Sequence, residues 1–260
     1  MRSSLACLRS LAGSALILLL AACGGEGNGD AQTPSQSGPP NVIDPAPQAG
    51  NAVMPLFVRP FANEYPLLNY FDHDVPTAPE TTNGYQLTWR GDRAQPGRDI
   101  GGYDGHTGID WLLPENTPLF AVTNGEIVSA GEVTGPCFLE GGKVTTGLVV
   151  RLRFIASDGD TYIASYSHMN RIDVSTGNTV VEGEQVGLSG ATGCLGNLRI
   201  AHVHFMVQRE LTAAPFTANT IDPYGWEGPG ADPWATNDMK KRSIWMWKPG
   251  QAPDMVPQRR

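Results

Sequence analysis

Five histidines occur in this chain, and four of them fall in three short stretches whose spacing suits chemistry on a metal ion. In Ala201-His202-Val203-His204-Phe205 side chains alternate along a strand, so both imidazoles face one way and Val203 and Phe205 the other. The two rings then stand about 7 Å apart at Cα, which suits one metal ligand and one neighbour acting on the metal's water. In Gly105-His106-Thr107-Gly108-Ile109-Asp110 the even spacing again puts His106 and Asp110 on one face, with Gly108 between them leaving room for an ion. Two imidazole nitrogens and a carboxylate oxygen make a tetrahedral Zn²⁺ set that keeps a fourth position for water, as catalytic rather than structural sites do. Zinc in such a set brings the pKa of that water toward roughly 7 and polarises a carbonyl. The third stretch, Ser165-Tyr166-Ser167-His168-Met169, closes a β-rich run. No H-E-x-x-H occurs, so a histidine, whose pKa of about 6.5 lies near operating pH, replaces a Glu general base. The fifth histidine, His73, reads as a buried residue satisfied by hydrogen bonds.

These residues need a scaffold of short strands. From Leu56 onward turn signals come often: Asn83-Gly84, Asn124-Gly125, Asp158-Gly159 and the glycines at 177, 183, 187, 190 and 193. Leu148 to Ile155 and Thr161 to Tyr166 flank Ala156-Ser157-Asp158-Gly159-Asp160 as a hairpin. Thr117 to Val128 reads as two further strands hinged at Asn124-Gly125. No segment carries a capped helical period, so the fold class is mainly β and antiparallel. The stretch 57–99, with Pro60, Pro66, Pro76 and Pro79, reads as irregular chain wrapping the sheet. Trp226, Trp234, Trp245 and Trp247 read as aromatics that pin a C-terminal tail to the core.

The 260 residues carry a formal net charge of -8, which offers no electrostatic footprint for nucleic acid. Arg2 and Arg9 precede an apolar run, Leu11 to Ala22, that is shorter than the roughly 20 residues a membrane-spanning helix needs, and so reads as a signal peptide. Leu20-Ala21-Ala22-Cys23 resembles the lipobox of bacterial lipoproteins, which implies a lipid-carrying Cys23 at the mature N-terminus. The Gly-, Ser- and Pro-rich stretch that follows to residue 55 reads as a flexible tether. Export makes Cys137 and Cys194 a disulfide pair that stabilises the fold by roughly 4 kcal/mol in the chain-entropy model. Zinc is left to His and Asp.

The order H-x-x-x-D, Y-x-H, H-x-H resembles the lysostaphin-like zinc metallopeptidases of the M23 family. Its surroundings agree: Pro114, Thr117-Pro118, Gly183 through Val186-Gly187, Ser189-Gly190, and Asp222-Pro223. Tyr70-Phe71-Asp72-His73-Asp74 also looks like a lead-in of some bacterial members. The resemblance covers about Gly102 to Tyr224. It implies a compact antiparallel β-sandwich of the duplicated-hybrid-motif type, with one zinc on His106, Asp110 and His204. It further implies that His202 orients or deprotonates the water and that His168 stabilises the oxyanion. Ala201 with Asn197-Leu198-Arg199-Ile200, and Met169 where Leu is usual, depart from the pattern in groove shape rather than in ligation. The organisation that follows is a signal peptide at 1–22, a lipidated tether at 23–55, an irregular lead-in at 56–101, a peptidase domain at 102–225 and a Trp-rich tail at 226–260. The implied activity is hydrolysis of amide bonds in peptidoglycan cross-link peptides by a monomer in the cell envelope, held by its lipid at a membrane, the outer one by expectation. Peptidoglycan is the implied partner. The alternatives are a noncatalytic envelope scaffold that activates an amidase, and a zinc peptidase acting on glycine-rich proteins.

Overall fold

The computed structural model describes residues 52–74, 84–94, 103–196, 199–210, 219–236 and 243–253. The export segment, the acylation candidate Cys23 and the tether as far as residue 51 lie outside the described residues. The strands in chain order are β1 (Ala52–Phe57), β2 (Leu67–Asn69), β3 (Gln86–Leu87), β4 (Arg93–Ala94), β5 (Ile109–Trp111), β6 (Pro118–Phe120), β7 (Gly125–Cys137) and β8 (Lys143–Ile155). They continue with β9 (Thr161–Met169), β10 (Arg171–Ile172), β11 (Thr179–Val180), β12 (Gln185–Leu188), β13 (Val203–Arg209), β14 (Thr220–Ile221) and β15 (Ile244–Trp247). Among the described residues the helical turns are 3₁₀ pieces, Phe138–Glu140 and Pro233–Thr236.

The large sheet runs β11-β7-β8-β9-β13-β5-β2, with β14 beside the end of β13 and every ladder antiparallel. Strands β10, β12 and β6 form a second antiparallel sheet. Both sheets feed one core, and this is the mainly antiparallel β architecture that the turn spacing implies. The core face is written in alternating residues: Tyr162, Ala164 and Tyr166 on β9, Val203, Phe205 and Val207 on β13, and Val150, Leu152 and Phe154 on β8. Phe205 meets Phe57, Tyr166 and Trp247 at ring distances of 6.1, 5.4 and 6.2 Å, and its burial contributes about 2–3 kcal/mol. Tyr166 Oη accepts the Val122 N–H at 2.9 Å and ties the sheets together. Alternation then forces the residues between these core positions onto the opposite face, where the site lies.

Three local expectations need correction. The two strands expected across Thr117 to Val128 are present as β6 and β7, but they do not pair with each other, because β6 pairs with β12 and β7 with β8, so the chain changes sheets at the Asn124-Gly125 hinge. Residues 57–99 are not wholly irregular: β2 is the edge strand beside β5, and β3 and β4 pair with each other. Part of a strand also lies inside the expected tether, since Ala52 to Pro55 belong to β1, which pairs in parallel with β15. These strands are two to six residues long, and those of β1 and β2 find partners far along the chain, so they leave no local periodic signal. Trp226, Trp234, Trp245 and Trp247 are all buried. Cys137, at the end of β7, is disulfide-bonded to Cys194, with the Cα atoms 5.0 Å apart.

Candidate active site

Register brings the chemistry together. His204 on β13 stands opposite Asp110 on β5, and Asn69 on β2 stands opposite Asp110 from the other side. Opposed residues share a face. His106 precedes β5 and is held by its turn: the Asp72 carboxylate accepts the N–H groups of Gly105 and Leu87, each at 2.9 Å. Gly108 has a different use from the one its spacing suggests. A Cβ there would lie 2.5 Å from the Phe205 carbonyl oxygen and 3.0 Å from His204 Nε2, so the room it leaves is filled by the β13 backbone and the His204 ring rather than by an ion.

His106, Asp110 and His204 converge, their ligand atoms within 4.8 Å of one another. His106 Nε2 is 3.1 Å from His204 Nδ1 and 3.2 Å from Asp110 Oδ2, and His204 Nδ1 is 2.8 Å from Asp110 Oδ1. Donors about 2.0–2.1 Å from a tetrahedral zinc ion stand about 3.3 Å apart, and here the two imidazole nitrogens are 3.1 Å apart with a different Asp110 oxygen within 3.2 Å of each, so the three residues suit that ion. The protonation pattern fits as well. His106 Nδ1 faces the Tyr70 carbonyl at 2.7 Å and must donate to it, which leaves a lone pair on Nε2 in the neutral ring. Asn69 Nδ2 donates to Asp110 Oδ2 at 2.7 Å and fixes the carboxylate. Burial opposes ionisation of Asp110, but its interactions with His106, His202 and His204 outweigh it and hold the carboxyl well below its usual range. Burial pushes His204 down despite Asp110, which keeps the ring neutral and available as a ligand.

The other two histidines lie beside this set. The His202 and His168 rings are 4.6 Å apart, and His202 Nε2 comes within 3.9 Å of Asp110 Oδ2. His202 Nδ1 donates to the Ile200 carbonyl at 2.8 Å and His168 Nδ1 to the Thr192 carbonyl at 2.8 Å, so each neutral ring presents an unprotonated Nε2. Burial, together with His202 and His204, lowers His168 to about 3. How His168 reaches the groove is visible only in the structure. It shares the parity of core-facing Tyr166, and regular alternation would turn it inward. Its backbone instead takes φ 63°, where the β8–β9 register slips between Leu148 and Val150, and this bulge re-aims the ring.

His73, by contrast, stands apart. It is fully buried, with Nε2 2.8 Å from Asp222 Oδ2 and Nδ1 2.9 Å from Asp232 Oδ1. Sequence reasoning did not single out Asn69, the Tyr70 carbonyl or Tyr103, whose ring meets His106 edge-on at 5.1 Å. Asn69 immediately precedes Tyr70-Phe71-Asp72-His73-Asp74, which was the available signal. The site opens into a groove of about 450 Å³ with apolar walls that include Val133, Phe138, Leu139, Leu195 and Ile200.

An antiparallel sheet with a His-Asp-His set and two further histidines at the mouth of a groove defines a peptidase-like hydrolytic site. Residues 104–223 of this chain match Peptidase family M23. It is 32% identical over 100 residues to the glycyl-glycine endopeptidase ALE-1 of Staphylococcus capitis, covering 38% of this chain and 24% of that protein. It is 29% identical over 100 residues to the peptidoglycan DD-endopeptidase ShyA of Vibrio cholerae, covering 38% of this chain and 19% of that protein. The chain thus spans about a quarter or less of the length of these relatives. Lysostaphin from Staphylococcus simulans is a structural neighbour at 28% identity and a TM-score of 0.36, covering 48% of this chain and 45% of that one.

Proposed function

We propose that this protein is a zinc-dependent M23 endopeptidase of the bacterial envelope that hydrolyses amide bonds in peptidoglycan cross-link peptides. The observation that carries the reading is the convergence of His106 Nε2, His204 Nδ1 and the Asp110 carboxylate, with the two nitrogens 3.1 Å apart and each within 3.2 Å of an Asp110 oxygen. Zinc bound there supplies a Lewis acid that activates water near neutral pH and polarises the scissile carbonyl. The chain's own residues do the rest. Asn69 fixes the Asp110 carboxylate, and Tyr70 fixes the His106 tautomer. His202, tied through Nδ1 to Ile200, offers Nε2 to take the proton of the attacking water. His168 differs from a ready-made oxyanion donor: with Nδ1 tied to Thr192, its Nε2 donates to a developing oxyanion only after it has itself gained a proton. The lipobox at Cys23, the signal peptide and the tether support anchorage at a membrane, by this reading the outer one, with the peptidase reaching the wall as a monomer. Noncatalytic scaffolds lack ligands, whereas all three stand together here, which favours the catalytic reading.

The test is digestion of purified sacculi by zinc-loaded protein with mass spectrometry of the products. We expect about one zinc per chain, loss of cross-linked muropeptides, inhibition by chelator and no product from His204→Ala. If a zinc-loaded preparation releases no peptide while a known endopeptidase does, the substrate assignment fails.

A further inference from the structure

We infer that the groove wall formed by Val133, Phe138, Leu139 and Leu195 is a subsite for a bulky apolar side chain, and that the peptidase also cuts peptides carrying an aliphatic or aromatic residue beside the scissile amide. This rests on the peptidase reading above and adds a substrate class to it, since the residues of a glycine bridge would leave such a wall uncovered. The wall borders the same groove as the donor set. Among the described residues lining that groove, Asp110 is the one Asp or Glu and Arg151 the one Lys or Arg, and each has partners already. What the groove offers beyond its histidines is therefore mainly apolar surface. Val133 and Phe138 are each 42% exposed, and large apolar side chains left open beside a reactive centre mark a ligand-binding surface.

Position and rigidity make the substrate the occupant. Phe138 meets the Tyr103 ring edge-on at 5.0 Å, and Tyr103 meets His106 in the same way at 5.1 Å, so Phe138 stands two ring contacts from a member of the donor set. That is within reach of a long side chain on a residue next to the scissile amide. The wall is also fixed before a ligand arrives. Phe138 and Leu139 follow Cys137, and Leu195 follows Cys194, so the disulfide clamps the two stretches together. Leu139 packs on Gly196, where an added Cβ would lie 3.6 Å from Leu139 Cβ. An apolar surface held in this way loses little freedom on binding, so covering it with a substrate side chain goes largely into affinity. Ile200, which also lines the groove, belongs to the stretch that departs from the M23 pattern.

The test uses zinc-loaded full chain and peptides of one common frame, with Gly, Ala, Leu or Phe placed in turn on each side of the scissile amide. For the wild type, Leu or Phe on one side raises kcat/KM about tenfold or more over Gly at the same place. Phe138→Ser lowers that ratio about fivefold or more, whereas Phe138→Leu, which keeps the wall apolar, retains most of it. Wild type that cleaves all the peptides alike or favours Gly on both sides, or Phe138→Ser that keeps the wild-type ratio, overturns the inference, while cleavage itself leaves the peptidase reading standing. Binding of the same labelled peptides to His204→Ala decides the case in which wild type cuts none of them. If the Leu or Phe peptide then binds about tenfold more tightly than the Gly peptide and the double variant with Phe138→Ser loses that margin, the subsite stands and the hydrolytic assignment falls. Equal binding, or no binding, of all the peptides overturns the subsite.

Discussion

His73 makes a prediction about stability that is independent of catalysis. Both of its ring nitrogens face carboxylate oxygens, which only accept, so the buried ring must carry both protons. Burial works against that charge, but the hydrogen bonds and charges of Asp222 and Asp232 outweigh it and bring His73 up from 6.5 to about 9. Asp232 also accepts the Ser243 hydroxyl, and the Phe71 and Trp226 rings pack on the imidazole at 5.2 and 4.9 Å. Below about pH 6.5 the folded and unfolded chains both hold the proton, and the contribution is complete. Between there and about pH 9 only the folded chain holds it, so stability falls by up to about 1.4 kcal/mol per pH unit. The total is about 3 kcal/mol. Urea unfolding of wild type and His73→Gln, followed by circular dichroism in chelator at pH 6.5 and pH 9.5, isolates this amount as a difference of differences. Wild type should lose about 3 kcal/mol more than the variant across that window, and the variant should already be weaker at pH 6.5, because two buried carboxylates have lost their partner. Parallel pH dependences for the two proteins would refute the bridged imidazolium.

Gly108→Ala should push the His204 ring or the β13 backbone aside, lowering zinc affinity at least tenfold in a chelator competition and stability by about 1–3 kcal/mol. Asn69→Leu removes the donor that fixes Asp110 and should weaken zinc binding about 10- to 100-fold by the same titration; unchanged affinity would rule out that role. Replacing Cys137 and Cys194 by Ser opens a link across 57 residues and should cost about 4 kcal/mol in urea unfolding. The same change frees the loop whose Thr192 carbonyl holds His168, so turnover should fall while zinc content stays near one.

Much of the site was legible because strand alternation is a local rule. Val203 and Phe205 are core residues and His204 faces the groove, as H-x-H requires, and the β8–β9 hairpin turns at 156–160 as its composition implies. The Cys137–Cys194 pairing followed from the expectation of export and from the positions of the two cysteines in the body of the chain. Asn69 was not legible, because a three-residue edge strand declares its register only through a partner some forty residues away. The pairing of β1 with β15 is longer-range still. Gly108 was read from its own strand alone, but its neighbour is His204, on another. His168 is the sharpest case, since alternation taken at face value sends it into the core with Tyr166.

The left-handed backbone at that residue has an evolutionary reading. A non-glycine side chain at φ 63° costs of order 1 kcal/mol that glycine or asparagine would largely recover. Position 168 is therefore a point at which fitness for folding and fitness for turnover pull in opposite directions. Selection of this chain for heat resistance alone should drift there toward glycine, trading the groove histidine for a relaxed bulge, whereas any selection that scores product should hold the histidine against that gradient.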